Sequence, residues 1–151
     1  MEKAIYFDMD GTIADLYNVQ DWLPRLRAED PSPYLEAEPL VNLEKLAETL
    51  RTFKSLGYTI GIITWLSLGS SEEYKRATRK AKAEWLSRIP FEFDEIHMVK
   101  YGTEKHLTPK VKRGILVDDN EEILRKWQAH GGLVIDAKVD NWLTHLQKKG
   151  E

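Results

Sequence analysis

The sequence predicts an α/β fold built on a mainly parallel sheet with helices on both of its faces. Short apolar runs rich in β-branched residues recur along the chain, helical patterns lie between them, and the runs are continuous rather than alternating. Continuous apolarity suits strands buried on both faces, and regular alternation of strand and helix suits parallel crossovers. With 151 residues the chain has the length of one domain, so a single domain over 1–151 is expected.

Taken in order, the clearest strands fall at 4–7, 59–63 and 115–117, with weaker ones at 95–99 and 133–135. A helix is predicted over 42–56, where Leu43, Leu46, Leu50 and Phe53 share a face and Gly57 supplies a stop. A second runs over 72–89, with Ser71 as N-cap and Ala77, Ala81 and Trp85 on its apolar side. A third covers 120–130 and ends at Gly131-Gly132; a short last one covers 141–148. Residues 15–39 break the alternation. This segment holds the turn-rich Asp30-Pro31-Ser32-Pro33 and a short helix near 22–26, and it reads as a small insertion over the strand ends. Ligands of such sheets bind beyond the carboxyl ends of the strands, so the residues directly after each apolar run matter most.

Bulk properties exclude several classes. The balance of 22 Lys and Arg against 25 Asp and Glu leaves no global basic field to draw the chain onto nucleic acid or anionic lipid. With no cysteine there is no disulfide framework, thiolate nucleophile or Cys-ligated zinc. His97, His106, His130 and His145 show no metal-ligand spacing. The apolar run near Met1 is too short for a signal peptide, and no stretch approaches a membrane span. A cytoplasmic protein is expected.

Asp8-Met9-Asp10-Gly11-Thr12 follows the first strand directly. Strand geometry turns carboxylates at i and i+2 to one side. Asp-Gly is an ordinary turn signal, but a turn accounts for neither the second carboxylate nor its place at a strand end. Such a pair suits phosphoryl transfer: Asp8 as nucleophile toward phosphorus, and Asp10 as acid toward the departing alcohol, then base toward water. Two carboxylates and a phosphate dianion repel one another, which calls for a divalent cation; Mg2+ is the default for an all-oxygen donor set. A second acidic pair, Asp118-Asp119, ends the third clear strand and completes a predicted metal set of Asp8, Asp10, Asp118 and Asp119. Since Asp118-Asp119-Asn120-Glu121-Glu122 also suits a helix N-terminus, capping is the competing reading there. One of these two Asp is expected to ligate the metal directly and the other through water.

With both pairs in place the chain resembles the haloacid dehalogenase (HAD) superfamily over nearly its whole length. The resemblance implies a HAD-like Rossmannoid three-layer sandwich with a small cap insertion. It also implies a hydroxyl at the second strand end, here Thr64, and a lysine ahead of the last acidic pair, both binding the phosphoryl oxygens. Lys100, Lys105, Lys110 and Lys112 lie in the interval; the spacing that family members show from a pair like Phe93-Asp94 favours Lys105, with Lys100 second. Asp10 is what the family's phosphatases carry where its dehalogenases and transport ATPases differ. Within the superfamily the stretches 8–15 and 115–119 are similar to those of 5'(3')-deoxyribonucleotidases, although Trp65-Leu66 stands where those enzymes have Ser-Pro.

The reading that results is a magnesium-dependent phosphatase of small phosphorylated substrates, a nucleotide foremost. A small cap leaves the site open, suiting a bulky substrate or closure by a second copy in a homo-oligomer. Tyr17, Trp22, Tyr34 and Trp65 offer stacking surfaces for a base, or else pack the insertion onto the core. Lys75, Arg76, Arg79, Lys80 and Lys82 form one basic stretch, read as a solvated helix face because Glu72, Glu73 and Glu84 dilute it. The alternatives are a phosphatase of nucleic-acid ends or of a phosphoprotein, and a phosphoryl-binding module without turnover.

Overall fold

A computed structural model describes residues 2–139 and 141–150; Met1, Asp140 and Glu151, which include both ends of the expected 1–151 domain, lie outside the described residues. The chain runs β1 (Lys3–Phe7), β2 (Ala14–Asp15), α1 (Trp22–Arg27), α2 (Ser32–Glu36), β3 (Glu38–Pro39), α3 (Leu43–Ser55), β4 (Tyr58–Trp65) and α4 (Glu72–Leu86). It continues through β5 (Glu95–Val99), β6 (Ile115–Asp118), α5 (Glu121–Ala129), β7 (Leu133–Asp136) and α6 (Trp142–Lys149). The expected mainly parallel α/β architecture is what forms: five strands in the order β5-β4-β1-β6-β7, every neighbouring pair parallel.

Each strand of this sheet feeds apolar residues to both faces. In β1, Ile5 and Phe7 join a core with Leu46, Leu50 and Phe53 of α3, Trp85 of α4 and Leu146 of α6. Ala4 and Tyr6 face the other way, with Leu116 and with Leu124 and Trp127 of α5. Helices therefore cover both sides of the sheet. Side-chain caps set three helix starts: Asn42 Oδ1 accepts from Lys45 N–H, Ser71 Oγ from Tyr74 N–H and Asn120 Oδ1 from Ile123 N–H.

The segment predicted as a small insertion leaves the sheet through an antiparallel ribbon, in which Ala14 pairs with Pro39 and Asp15 with Glu38. Two residues per strand carry no legible alternation, so the sequence reading lacks this ribbon. Ser32-Pro33, expected within a turn, instead opens α2; proline fits a first helical turn, where its missing N–H would have had no partner. Glu29 then accepts from both the amide and the hydroxyl of Ser71, and Tyr74 O–H donates to the Asp30 carbonyl. These bonds clamp the insertion onto the start of α4.

Candidate active site

Strand order brings the distant acidic motifs together. β1 lies between β4 and β6, with Phe7 in register with Ile62 and with Val117, and Asp8 N–H donates to the Val117 carbonyl at 2.9 Å. Asp8, Thr64 and Asp118 thus end three adjacent parallel strands, where the crossover direction reverses and a doubly wound sheet opens a crevice. All three line the floor of a cavity of about 660 Å³, with Asp10, Lys105 and Asp119. No helix among the described residues is long and apolar enough to cross a membrane.

Of the four candidate lysines, Lys100, Lys110 and Lys112 are exposed and Lys105 is buried. A 3₁₀ turn, Lys105–Leu107, folds Lys105 inward. Its Nζ donates to Asp8 Oδ1 and Asp118 Oδ2, both at 2.9 Å. Thr12 O–H donates to the other Asp8 oxygen at 3.2 Å, and Asn120 N–H to the other Asp118 oxygen at 3.0 Å. Since Asn120 supplies the cap of α5, the capping reading of the acidic pair does not describe Asp118, which is buried and held in the site.

Each of Asp8, Asp118 and Asp119 offers a carboxylate oxygen within 4.8 Å of the other two. Hard oxygen donors so spaced fit Mg2+, which needs few protein ligands. Asp10, also expected in the metal set, is not among these three carboxylates; its Oδ2 accepts from Lys82 Nζ at 2.9 Å. Around the floor, four carboxyl groups face two ammonium groups, Lys82 and Lys105, an excess of acidic groups that a bound cation would offset.

The electrostatics follow from this crowding. Burial pushes the Asp8 carboxyl up, but the Lys105 ammonium overcomes it and holds Asp8 below the usual carboxylate range. Burial raises Asp10 despite Lys82 beside it. Burial and the Asp8 charge push Asp118 up to about 6 and Asp119 up to about 8. An acid whose pKa is higher folded than unfolded stabilises the fold while protonated, and that contribution is lost as pH rises through the folded value. Without divalent cations the thermal midpoint should therefore fall between pH 5 and pH 8, opposed only in part by His106, whose burial lowers its pKa. Magnesium binding displaces those protons, so it should raise the midpoint more at pH 8 than at pH 5. Melting curves at both pH values, with and without MgCl2, check this; a metal-free midpoint that rises with pH would contradict it.

Gly11 lets the two acidic motifs approach. Its φ is +82°, and a Cβ there would collide with Asp119 Oδ2 and lie 2.7 Å from Tyr17 Cε2. Gly11→Ala should destabilise the protein by about 1–3 kcal/mol and weaken magnesium binding by displacing Asp119. Urea unfolding and the midpoint shift with added magnesium measure the two effects.

Lys82 was expected on a solvated basic face and is instead fully buried. Arg76, Arg79 and Lys80 of the same stretch are exposed. The physical reason is phase: Lys82 shares its face of α4 with Thr78 and Trp85, both buried. That period was readable in the sequence, but a run of charges concealed it. The aromatics divide. Tyr34 lines the cavity too, but it is buried against Leu16 and Ala81 with its hydroxyl 2.9 Å from Ser67 Oγ, so it packs the insertion. Tyr17 and Trp22 meet edge to face at 5.0 Å, Trp65 and Tyr101 tilt together at 4.9 Å, and all four line the cavity.

The fold has a solved counterpart. D,D-heptose 1,7-bisphosphate phosphatase from Burkholderia thailandensis is similar to this chain at a TM-score of 0.56 and 17% identity, over 95% of this chain and 85% of that one. No family model matches the sequence, and no curated protein does.

Proposed function

We propose that the chain is a magnesium-dependent phosphomonoester hydrolase of the HAD type, working through an aspartyl-phosphate at Asp8. The observation that carries this reading is the meeting of Asp8, Lys105 and Asp118 at 2.9 Å contacts on a cavity floor that also holds Asp10, Thr64 and Asp119. The similarity of fold to a phosphatase agrees with it.

In this mechanism an Asp8 oxygen forms a bond to phosphorus while the bond from phosphorus to the ester oxygen breaks. Asp10 gives its proton to that oxygen, so the product leaves as an alcohol. Asp10, now ionised, takes a proton from water as the water oxygen attacks phosphorus, and the bond to Asp8 breaks to release phosphate. Lys105 keeps Asp8 ionised and, with the Thr64 hydroxyl, stabilises charge on the phosphoryl oxygens. Asp8, Asp118 and Asp119 would hold Mg2+, which when bound neutralises the charge of the phosphoryl group and the carboxylates.

The cavity walls favour a nucleoside monophosphate. Tyr17, Trp22, Trp65 and Tyr101 present flat faces suited to a base, while Arg27 is the one lining cation outside the floor among the described residues. A bisphosphorylated sugar would bring a second dianion to walls with little to hold it. Phosphate release from nucleoside monophosphates, sugar mono- and bisphosphates and 3'-phosphorylated oligonucleotides, with and without magnesium, tests the reading. Magnesium-dependent release that is fastest from a nucleotide supports it. Preference for a bisphosphate or an oligonucleotide end overturns the substrate class, and no release from any ester overturns the function.

A further inference from the structure

Helix α4 carries a second buried cation whose surroundings assign it a task. Lys82 Nζ donates to Asp10 Oδ2 at 2.9 Å, to Thr64 Oγ1 at 2.7 Å and to the Trp65 carbonyl at 2.8 Å. An ammonium has three N–H donors and no lone pair, so this set uses Lys82 completely and leaves nothing for a substrate. A buried charge is a poor choice if α4 merely had to be fastened to β4. Removing an ammonium from water costs several kcal/mol before its partners repay any of it, and an apolar side chain could fill the same space without that cost.

The partners show what the charge accomplishes. Asp10 is bound through one oxygen, which fixes the plane of the carboxyl and leaves the other oxygen for proton exchange. Thr64 accepts from Lys82 and cannot donate back to it, so its hydroxyl hydrogen is turned away from the ammonium and free to meet a phosphoryl oxygen. Tyr34 from the insertion closes over the ammonium, its ring centroid 5.0 Å from Nζ.

We propose that Lys82 is a positioning residue: without touching the substrate, it orients Asp10 for proton transfer to the leaving group and Thr64 for phosphoryl binding. This rests on the phosphohydrolase reading above and goes beyond it by giving the acid an orienting partner from a different element.

The test compares two esters in the 151-residue chain with magnesium. p-Nitrophenyl phosphate has a leaving group that departs with little need of a proton, whereas a simple alkyl phosphate requires one. For Lys82→Met, kcat/KM toward the alkyl ester should fall roughly 100-fold more than toward the p-nitrophenyl ester, the range of a lost general acid. In an Asp10→Asn background the same substitution should leave the ratio of the two rates unchanged, because the two residues act as one unit. Lys82→Gln, which retains a donor, is read in the same way if Lys82→Met does not fold. Equal losses on both esters would make Lys82 a structural residue only and overturn the proposal while leaving the phosphatase standing. A native protein inactive on both esters would overturn the two together.

Discussion

Asp8→Asn is expected to lower magnesium-dependent phosphate release by about 10⁴- to 10⁶-fold, the range found when a nucleophile is removed from an enzyme that otherwise remains intact. The amide is nearly isosteric with the carboxylate but lacks the charge and basicity needed to attack phosphorus. Its oxygen can still accept from Lys105 or Thr12, the two donors that hold Asp8, so the fold should persist. The substitution gives up the attraction of Lys105 for the Asp8 charge and at the same time relieves the repulsion among the carboxylates. The Asp8 charge is one reason that Asp118 is pushed up to about 6 and Asp119 up to about 8. Removing it should make the metal-free thermal midpoint fall less between pH 5 and pH 8 than it does in the native chain. Phosphate release and melting curves on one preparation measure both results. An Asp8→Asn protein that keeps a tenth of native activity would remove Asp8 from the nucleophile's role.

Lys105→Met is the second large effect, and it should impair stability and turnover together. Lys105 is 3% exposed and bridges two buried carboxylates. Loss of one partner leaves the others as uncompensated buried charge, a change worth about 3–5 kcal/mol at neutral pH. Without the ammonium, burial of Asp8 and Asp118 loses its main opponent and both are raised. The deficit should then be largest at pH 8 and shrink toward pH 5, as protonation substitutes for the missing cation. Activity should fall about 10²- to 10³-fold, the cost of losing one preorganised donor to transition-state charge. Added magnesium should recover part of the stability and little of the rate, since Mg2+ can neutralise the carboxylates but cannot take the place of Lys105 beside the phosphoryl group. Urea unfolding at pH 5 and pH 8 with a parallel rate assay checks this. A deficit that grows toward low pH would mean that Asp8 and Asp118 are not the charges Lys105 balances.

Those two residues differ in how openly the chain declares them. Asp8 follows an apolar run directly, and its neighbours Asp10, Gly11 and Thr12 complete a pattern with little other use. Asp118 is marked in the same way by β6. Lys105 is one of four lysines in a loop-rich interval, and its burial depends on a 3₁₀ turn that has no hydrophobic period to announce it. The ribbon of β2 and β3 leaves no mark in the sequence because two-residue strands are too short to alternate.

Lys82 is concealed in the sequence for a different reason. Its neighbours in sequence are charged and exposed, yet its neighbours on the helix, Thr78 and Trp85, are buried. Composition and period conflicted there, and period prevailed because α4 packs that face onto the strand end beside Asp10 and Thr64. An ammonium placed among three acceptors is tolerable there; on an apolar face without them it would not be.

The sequence by itself determined the alternation of buried strands and amphipathic helices, the N-cap at Ser71, and the position of each acidic pair at a strand end. These are local properties, encoded by the repeat of apolar side chains and by the hydrogen-bonding needs of helix ends. Only the tertiary structure decided that β1 lies between β4 and β6, and hence that Asp8, Thr64 and Asp118 meet although far apart in the chain. It likewise decided that Lys105 joins Asp8 to Asp118, and that Asp10 turns to Lys82 rather than to the three carboxylates spaced for a metal. Those pairings depend on which side chains lose water together when the sheet closes. A buried charge takes the partners that its surroundings leave within reach.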